Sequence, residues 1–203
     1  MRGYKNIDSY AAWGIIVLIA VAGFWIYFNS EQANSENENS QLSGSEAKFA
    51  ALNSAKTNQC SGPGFIDSKS NKDRLQGSCC SAMDFHRYEE QIEGLKKYSK
   101  IEKIPKDPYD IPVSLAKELL EYQKTIKLNA EQQKIYDKAV KLSHEGGPCC
   151  CKCWRWYAFE GLAKYLITEY GFNAEQIAEI WDLEDGCGGT GHAEHGESGM
   201  QLT

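Results

Sequence analysis

Four cysteines fall within five residues in the run Pro148-Cys149-Cys150-Cys151-Lys152-Cys153-Trp154. Packing alone does not call for that density. Alternate thiols at Cys149, Cys151 and Cys153 converge on one soft ion if the loop curls, and Cys150 with Cys153 forms a C-x-x-C pair able to chelate one tetrahedral centre. A helix is expected to start at Trp154, so its N-terminal amides and dipole favour thiolate over thiol, and Lys152 adds positive charge in the same sense. Thiolate-rich sites select copper(I), zinc or iron–sulfur clusters over hard cations. The expected cofactor is therefore copper(I) first and zinc second.

A second constellation lies upstream. Cys79 and Cys80 are adjacent, and Cys80, Met83 and His86 follow at three-residue spacing. A thiol, a thioether and an imidazole on neighbouring helical turns suit copper(I). Met83 as a core residue, and His86 as a solvated neighbour of Glu89, Glu90 and Glu93, is the competing reading. The tail carries His192, Glu194, His195 and Met200 among glycines, either a loose metal trap or a solvated terminus. The metal ligands expected are thus Cys149, Cys150, Cys151, Cys153, Cys79, Cys80, His86 and Met83.

The chain holds eight cysteines, an even number. A purely structural framework is the main rival, with Cys60, Cys79 or Cys80 bridged to the cluster or to Cys187. Four near-adjacent cysteines are awkward for independent bridges, because each sulfur pair needs its own Cα spacing and dihedral. A thiol–disulfide exchanger built on Cys150 and Cys153 is the second rival. It lacks the βαβ setting that such a motif ordinarily occupies, so a non-enzymatic role is expected. Trp154, Trp156, Tyr157 and Phe159 either shield the thiols from water or form the packed face of a helix, and Arg155 is expected to face outwards or pair with an acidic neighbour.

The elements that position these residues are mostly helical. Ser81-Ala82-Met83-Asp84 resembles a capping box opening an amphipathic helix over about 82–100, with Phe85, Tyr88, Ile92 and Leu95 on its apolar face. Pro105, Pro108 and Pro112 make a stiff extended connection. A helix after Pro112 carries Leu115, Leu119, Leu120 and Ile126, and another runs from Glu131 to about Ser143, closed by Gly146-Gly147-Pro148. The helix from Trp154 ends near Tyr170 at Gly171, and Asn173 caps a last one with Ile177, Ile180 and Trp181. No strand is expected.

Residues 10–28 pass without a charge and would span roughly 28 Å as a helix, close to the about 30 Å of a hydrocarbon core. Arg2 and Lys5 precede them and Glu31, Glu36 and Glu38 follow, an order that places the N-terminus in the cytoplasm. The expected organisation is a cytoplasmic N-terminus (1–9), a transmembrane helix (10–28), a disordered acidic linker (29–58), a cysteine-rich α-helical domain of about five helices (59–187) and a flexible His/Gly tail (188–203). It implies a single-pass protein of the cell membrane with its domain outside, in contact with membrane lipid and open to a membrane-protein partner; a cleaved secretory signal is the competing reading of residues 10–28 and leaves the domain outside as well. The formal charge of −6 argues against nucleic acid as a partner. No G-x-S-x-G, phosphate-binding loop, H-E-x-x-H or EF-hand pattern occurs, which excludes the hydrolase and nucleotide-enzyme classes they mark.

The form P-C-x-C-x-C at Pro148–Cys153 resembles bacterial surface proteins known by their PCYCGC motif. Cys150 stands at the tyrosine position and Lys152 at the glycine position. The following helix, its glycine and the stretch AEQIAEIWD are similar in layout. The resemblance implies a surface-attached, cysteine-rich, metal-handling protein without naming a reaction. By it Cys149, Cys151 and Cys153 match the motif cysteines, and Cys150 has no counterpart.

Overall fold

The computed structural model describes residues 45–189. Within the unit that begins at Lys48, the chain is helical apart from one small ribbon. In order the described chain forms α1 (residues 45–54, of which those from Lys48 on belong to this unit), α2 (Gly64–Asp67), β1 (Arg74–Gln76), α3 (Phe85–Leu95) with a 3-10 turn at Lys96–Tyr98, β2 (Asp110–Pro112), α4 (Val113–Thr125), α5 (Ala130–Leu142), α6 (Trp154–Tyr170) and α7 (Ala174–Leu183). β1 and β2 pair antiparallel, with Leu75 opposite Ile111. This ribbon is not expected from the sequence: three-residue strands are too short to show a period-two pattern.

α6 is the central element. Its residues Trp154, Ala158, Phe159, Leu162, Ala163, Leu166 and Ile167 are all buried, as expected of a helix surrounded by others. α4 lies against it at very close range: a Cβ on Gly161 would come within 1.9 Å of the Leu119 carbonyl oxygen. Gly171 at φ 65° ends α6 in the left-handed conformation that glycine adopts without strain. Capping boxes start the helices on either side, Asn129 with Gln132 at α5 and Asn173 with Gln176 at α7. The Trp181 indole N–H donates to the Phe159 carbonyl at 3.1 Å and docks α7 onto α6.

Three sequence expectations require correction. α3 starts at Phe85, and its cap is Asp84, whose side chain accepts from Arg87 N at 2.9 Å. Ser81 does not cap it, because residues 79–82 are occupied in hydrogen bonds with residues 186–189. Part of the stretch read as a linker is structured: α1 seats Leu52 beside Met83, Tyr88 and Tyr109, and Lys48 pairs with Asp107 at 2.7 Å. The third correction concerns the membrane-spanning architecture and the location in the cell membrane. Among the described residues no helix is long and apolar enough to cross a membrane. The longest, α6, has 17 residues and includes Arg155, Glu160, Lys164 and Glu169, against the about 20 predominantly apolar residues of a span. Residues 10–28, on which that expectation rested, lie outside the described residues, as does the tail carrying His192, His195 and Met200.

Candidate metal centre

Four separate stretches of chain, two of them joined to each other, bring the eight cysteines together. The first carries Cys60 and is held by Asn58. This buried side chain donates to the Gly77 carbonyl at 2.9 Å and accepts from the Trp154 indole at 3.1 Å. The Trp154 backbone N–H donates to the Ser61 carbonyl at 2.7 Å, which fixes Cys60 beside the start of α6. The second pairs Cys79 and Cys80 with the segment after α7: Cys79 N–H donates to Gly186 O at 3.1 Å, and Ser81 N–H to Cys187 O at 2.9 Å. Gly188, at φ 81°, leaves room for this approach, since a Cβ there would lie 2.3 Å from the Ser81 carbonyl oxygen. The remaining one is the loop between α5 and α6. Gly147 N–H donates to Ser143 Oγ at 2.8 Å, and Trp156 packs over Gly147 and against the thiols.

All eight cysteines are free thiols, and their sulfurs form one continuous network. From Cys153 the steps run to Cys149 at 3.9 Å, to Cys187 at 3.6 Å, to Cys79 at 3.8 Å and to Cys80 at 3.6 Å. Two further contacts are shorter: Cys60 to Cys151 at 2.9 Å and Cys150 to Cys187 at 3.2 Å. Three groups of three sulfurs lie within 4.8 Å of one another, and these cysteine groups could hold a metal ion: Cys60 with Cys151 and Cys153, Cys79 with Cys80 and Cys187, and Cys149 with Cys150 and Cys187. Cys149, Cys153 and Cys187 are buried, whereas Cys60, Cys80 and Cys150 are exposed. An open polar groove of about 740 Å³, lined in part by Lys56, Cys60, Cys79 and Cys80, reaches the centre from solvent.

The expected ligands divide accordingly. Cys149, Cys150, Cys151, Cys153, Cys79 and Cys80 all enter the network, but Cys149, Cys151 and Cys153 do not form one group. Cys149 groups with Cys150 and Cys187, while Cys151 and Cys153 group with Cys60. Cys150 and Cys153 also fall in different groups, so the C-x-x-C spacing does not produce a shared pair. Met83 is buried beside Leu52, Tyr88 and Tyr109, and His86 faces solvent with Nε2 3.2 Å from Glu90 Oε1. His86 belongs to none of the three thiol groups. Sequence reading left Cys60 and Cys187 out of the ligand set. Their only signal was residue type, because both are brought in by contacts across most of the domain.

The electrostatics depart from a simple helix-dipole picture. Backbone N–H groups of Arg155 and Trp156 favour a Cys153 thiolate, yet contact with Cys149, followed by burial, holds the Cys153 thiol well above its ordinary range. Burial and then the contact with Cys60 push Cys151 up to about 11. At Cys149 the contact with Cys153 acts downwards, but the Cys187 contact and burial prevail and the thiol is raised. Cys149, Cys151 and Cys153 thus hold their protons more tightly than an ordinary thiol, and a metal ion bound there would have to displace them. Lys152 stands over the Trp156 ring at 5.4 Å.

Arg155 does not face outwards as expected. It is buried, its Nη2 donates to the carbonyl oxygens of Pro108 and, at 2.9 Å, Glu184, and its electrostatic neighbours include Cys79, Glu184 and Cys149. Its Nε and Nη1 have no hydrogen-bond partner. A buried cation so placed offsets negative charge on the thiols. No family model, curated protein or solved structure matches this chain, so the resemblance of Pro148–Cys153 to the PCYCGC proteins rests on the motif alone.

Proposed function

We propose that this protein binds soft metal ions, copper(I) ahead of zinc, through its cysteine network, and that it serves to store the metal or hand it on. The observation that carries this reading is the convergence of all eight free thiols, from four separate stretches of chain, into one sulfur network. A metal–sulfur bond of about 2.3 Å implies sulfurs about 3.8 Å apart at a tetrahedral ion. The separations of 3.6 to 3.9 Å along Cys153, Cys149, Cys187, Cys79 and Cys80 match it. Among the described residues the sulfurs group in threes and not in fours. That favours copper(I), which is satisfied by fewer thiolates than the four of structural zinc. The exposed Cys60 and Cys80 on the groove offer a point of entry to the buried Cys149 and Cys187.

A second reading, a disulfide-stapled interaction module, is favoured by the two short contacts, Cys60 to Cys151 at 2.9 Å and Cys150 to Cys187 at 3.2 Å. One experiment separates them. The full chain is purified without chelator, and bound metal and free thiols are counted on the same sample. Bound copper or zinc with most thiols free or metal-protected supports the metal centre. Absence of metal with no free thiols, together with failure to take up copper(I) after reduction, overturns it in favour of the stapled module.

A further inference from the structure

Resting on that reading, we infer that the centre is polynuclear: more than one copper(I) ion is held, with Cys187 as a thiolate shared between neighbouring ions. Cys187 belongs to two of the three sulfur groups, and its sulfur lies 3.6 Å from Cys149 and 3.8 Å from Cys79. Cys149 in turn lies 3.9 Å from Cys153, which is grouped with Cys60 and Cys151. Each of these separations suits two sulfurs on one ion. The steps are arranged end to end and do not close on a common point, so a single ion reaches one group and leaves the others empty. Filling all three groups requires that the Cys187 sulfur serve two ions.

Charge balance favours the same arrangement. A lone copper(I) ion on three unshared thiolates leaves an excess of negative charge, and Cys149, Cys153 and Cys187 are 2%, 4% and 7% exposed. Burying net charge is costly unless it is paired. Sharing a thiolate between two cations lowers the number of anions per ion. The remaining charge falls beside Arg155, whose guanidinium has two nitrogens without a hydrogen-bond partner. Uptake balances simply: each thiol that becomes a ligand releases one proton to solvent, and no electron is transferred.

The test is an anaerobic titration of the fully reduced full chain with copper(I) supplied as its acetonitrile complex. Stoichiometry is read by native mass spectrometry, and copper–copper scattering by X-ray absorption. The expected result is more than one copper per chain with a copper–copper vector. In Cys187→Ser the loss of copper should exceed that in Cys80→Ser, because Cys187 joins two groups and Cys80 belongs to one; Cys187→Ala serves as the second joint variant if Cys187→Ser does not fold. A single copper per chain with no copper–copper scattering overturns the polynuclear centre and leaves metal binding standing. No copper uptake at all overturns both. Equal losses in the joint and edge variants overturn the shared role of Cys187.

Discussion

The Asn58 side-chain oxygen accepts the Trp154 indole N–H at 3.1 Å, while the same carboxamide donates to the Gly77 carbonyl at 2.9 Å. One buried amide thus ties together the start of α6, the end of β1 and the segment that carries Cys60. The thiols of these stretches meet because an ordinary hydrogen-bonded residue two positions before Cys60 holds their backbones in place.

Asn58→Ala removes both bonds and leaves a buried indole N–H and a carbonyl unpaired. The expected cost is about 2–3 kcal/mol of stability, read by urea unfolding of the metal-free protein. Cys60 should also react faster with a thiol reagent than in the parent chain. Unchanged stability and unchanged Cys60 reactivity would show that Asn58 does not position this segment.

Metal uptake should weaken as the pH falls. Cys149, Cys151 and Cys153 all keep their protons more tightly than an ordinary thiol, so binding must expel them. Copper(I) affinity, measured by competition with a chromophoric chelator, should drop by up to about tenfold per pH unit for each proton displaced. The metal-free fold should show the opposite trend. Thiols raised in the folded state stabilise it below the unfolded value of about 8.5, and that contribution fades as pH climbs towards the about 11 of Cys151. A copper affinity independent of pH would exclude these thiols as the ligands.

Glu184 offers a second pH handle away from the sulfurs. It is 1% exposed, burial raises its carboxyl well above the ordinary range despite the nearby Arg155, and neither carboxylate oxygen has a hydrogen-bond partner. The folded state therefore holds this proton more tightly than the unfolded chain, and stability is lost as pH rises from about 4.3, with a slope of at most about 1.4 kcal/mol per pH unit. Glu184→Gln should flatten this dependence above about pH 4.3. Parallel stability curves for the two proteins would contradict the assignment.

Gly188→Ala forces a side chain into a left-handed backbone position and towards the Ser81 carbonyl oxygen, 2.3 Å from the new Cβ. It should cost at least about 1 kcal/mol and displace Cys187, so copper capacity falls by more than in Cys80→Ser. Gly146→Ala is the control: φ is also positive, at 67°, but nothing lies within 4 Å. Equal behaviour of the two variants would mean that the approach of residues 186–189 to residues 79–82 is not what holds Cys187.

Local signals made much of the helical framework legible. Asn129 and Asn173 each sit before a helix with Gln three residues on, and both capping boxes form. Gly171 ends α6 where glycine alone is unstrained. The centre was legible only in part. The density of Cys149–Cys153 drew attention to the right loop, but Cys153 caps α6 in an extended conformation, φ −81° and ψ −176°, and its sulfur joins Cys60 and Cys151 instead of closing a ring with Cys149 and Cys151. Cys60 and Cys187 enter through long-range backbone contacts that no periodicity encodes. Met83 and His86 share a three-residue spacing with Cys80, yet Met83 precedes α3 and turns into the core while His86 points to solvent. Arg155 reads either as a surface charge or as the partner of an acidic residue, and it is buried beside Glu184.

The sulfur contacts join residues far apart in the chain: 91 positions separate Cys60 from Cys151, and 108 separate Cys79 from Cys187. During synthesis the first thiols therefore emerge with most of their eventual neighbours not yet made, and Cys187 follows the last helix. Two of the three groups wait for that one residue. The sulfur network is therefore complete only once the chain has been made as far as Cys187, and Cys79 cannot meet its distant partner before then.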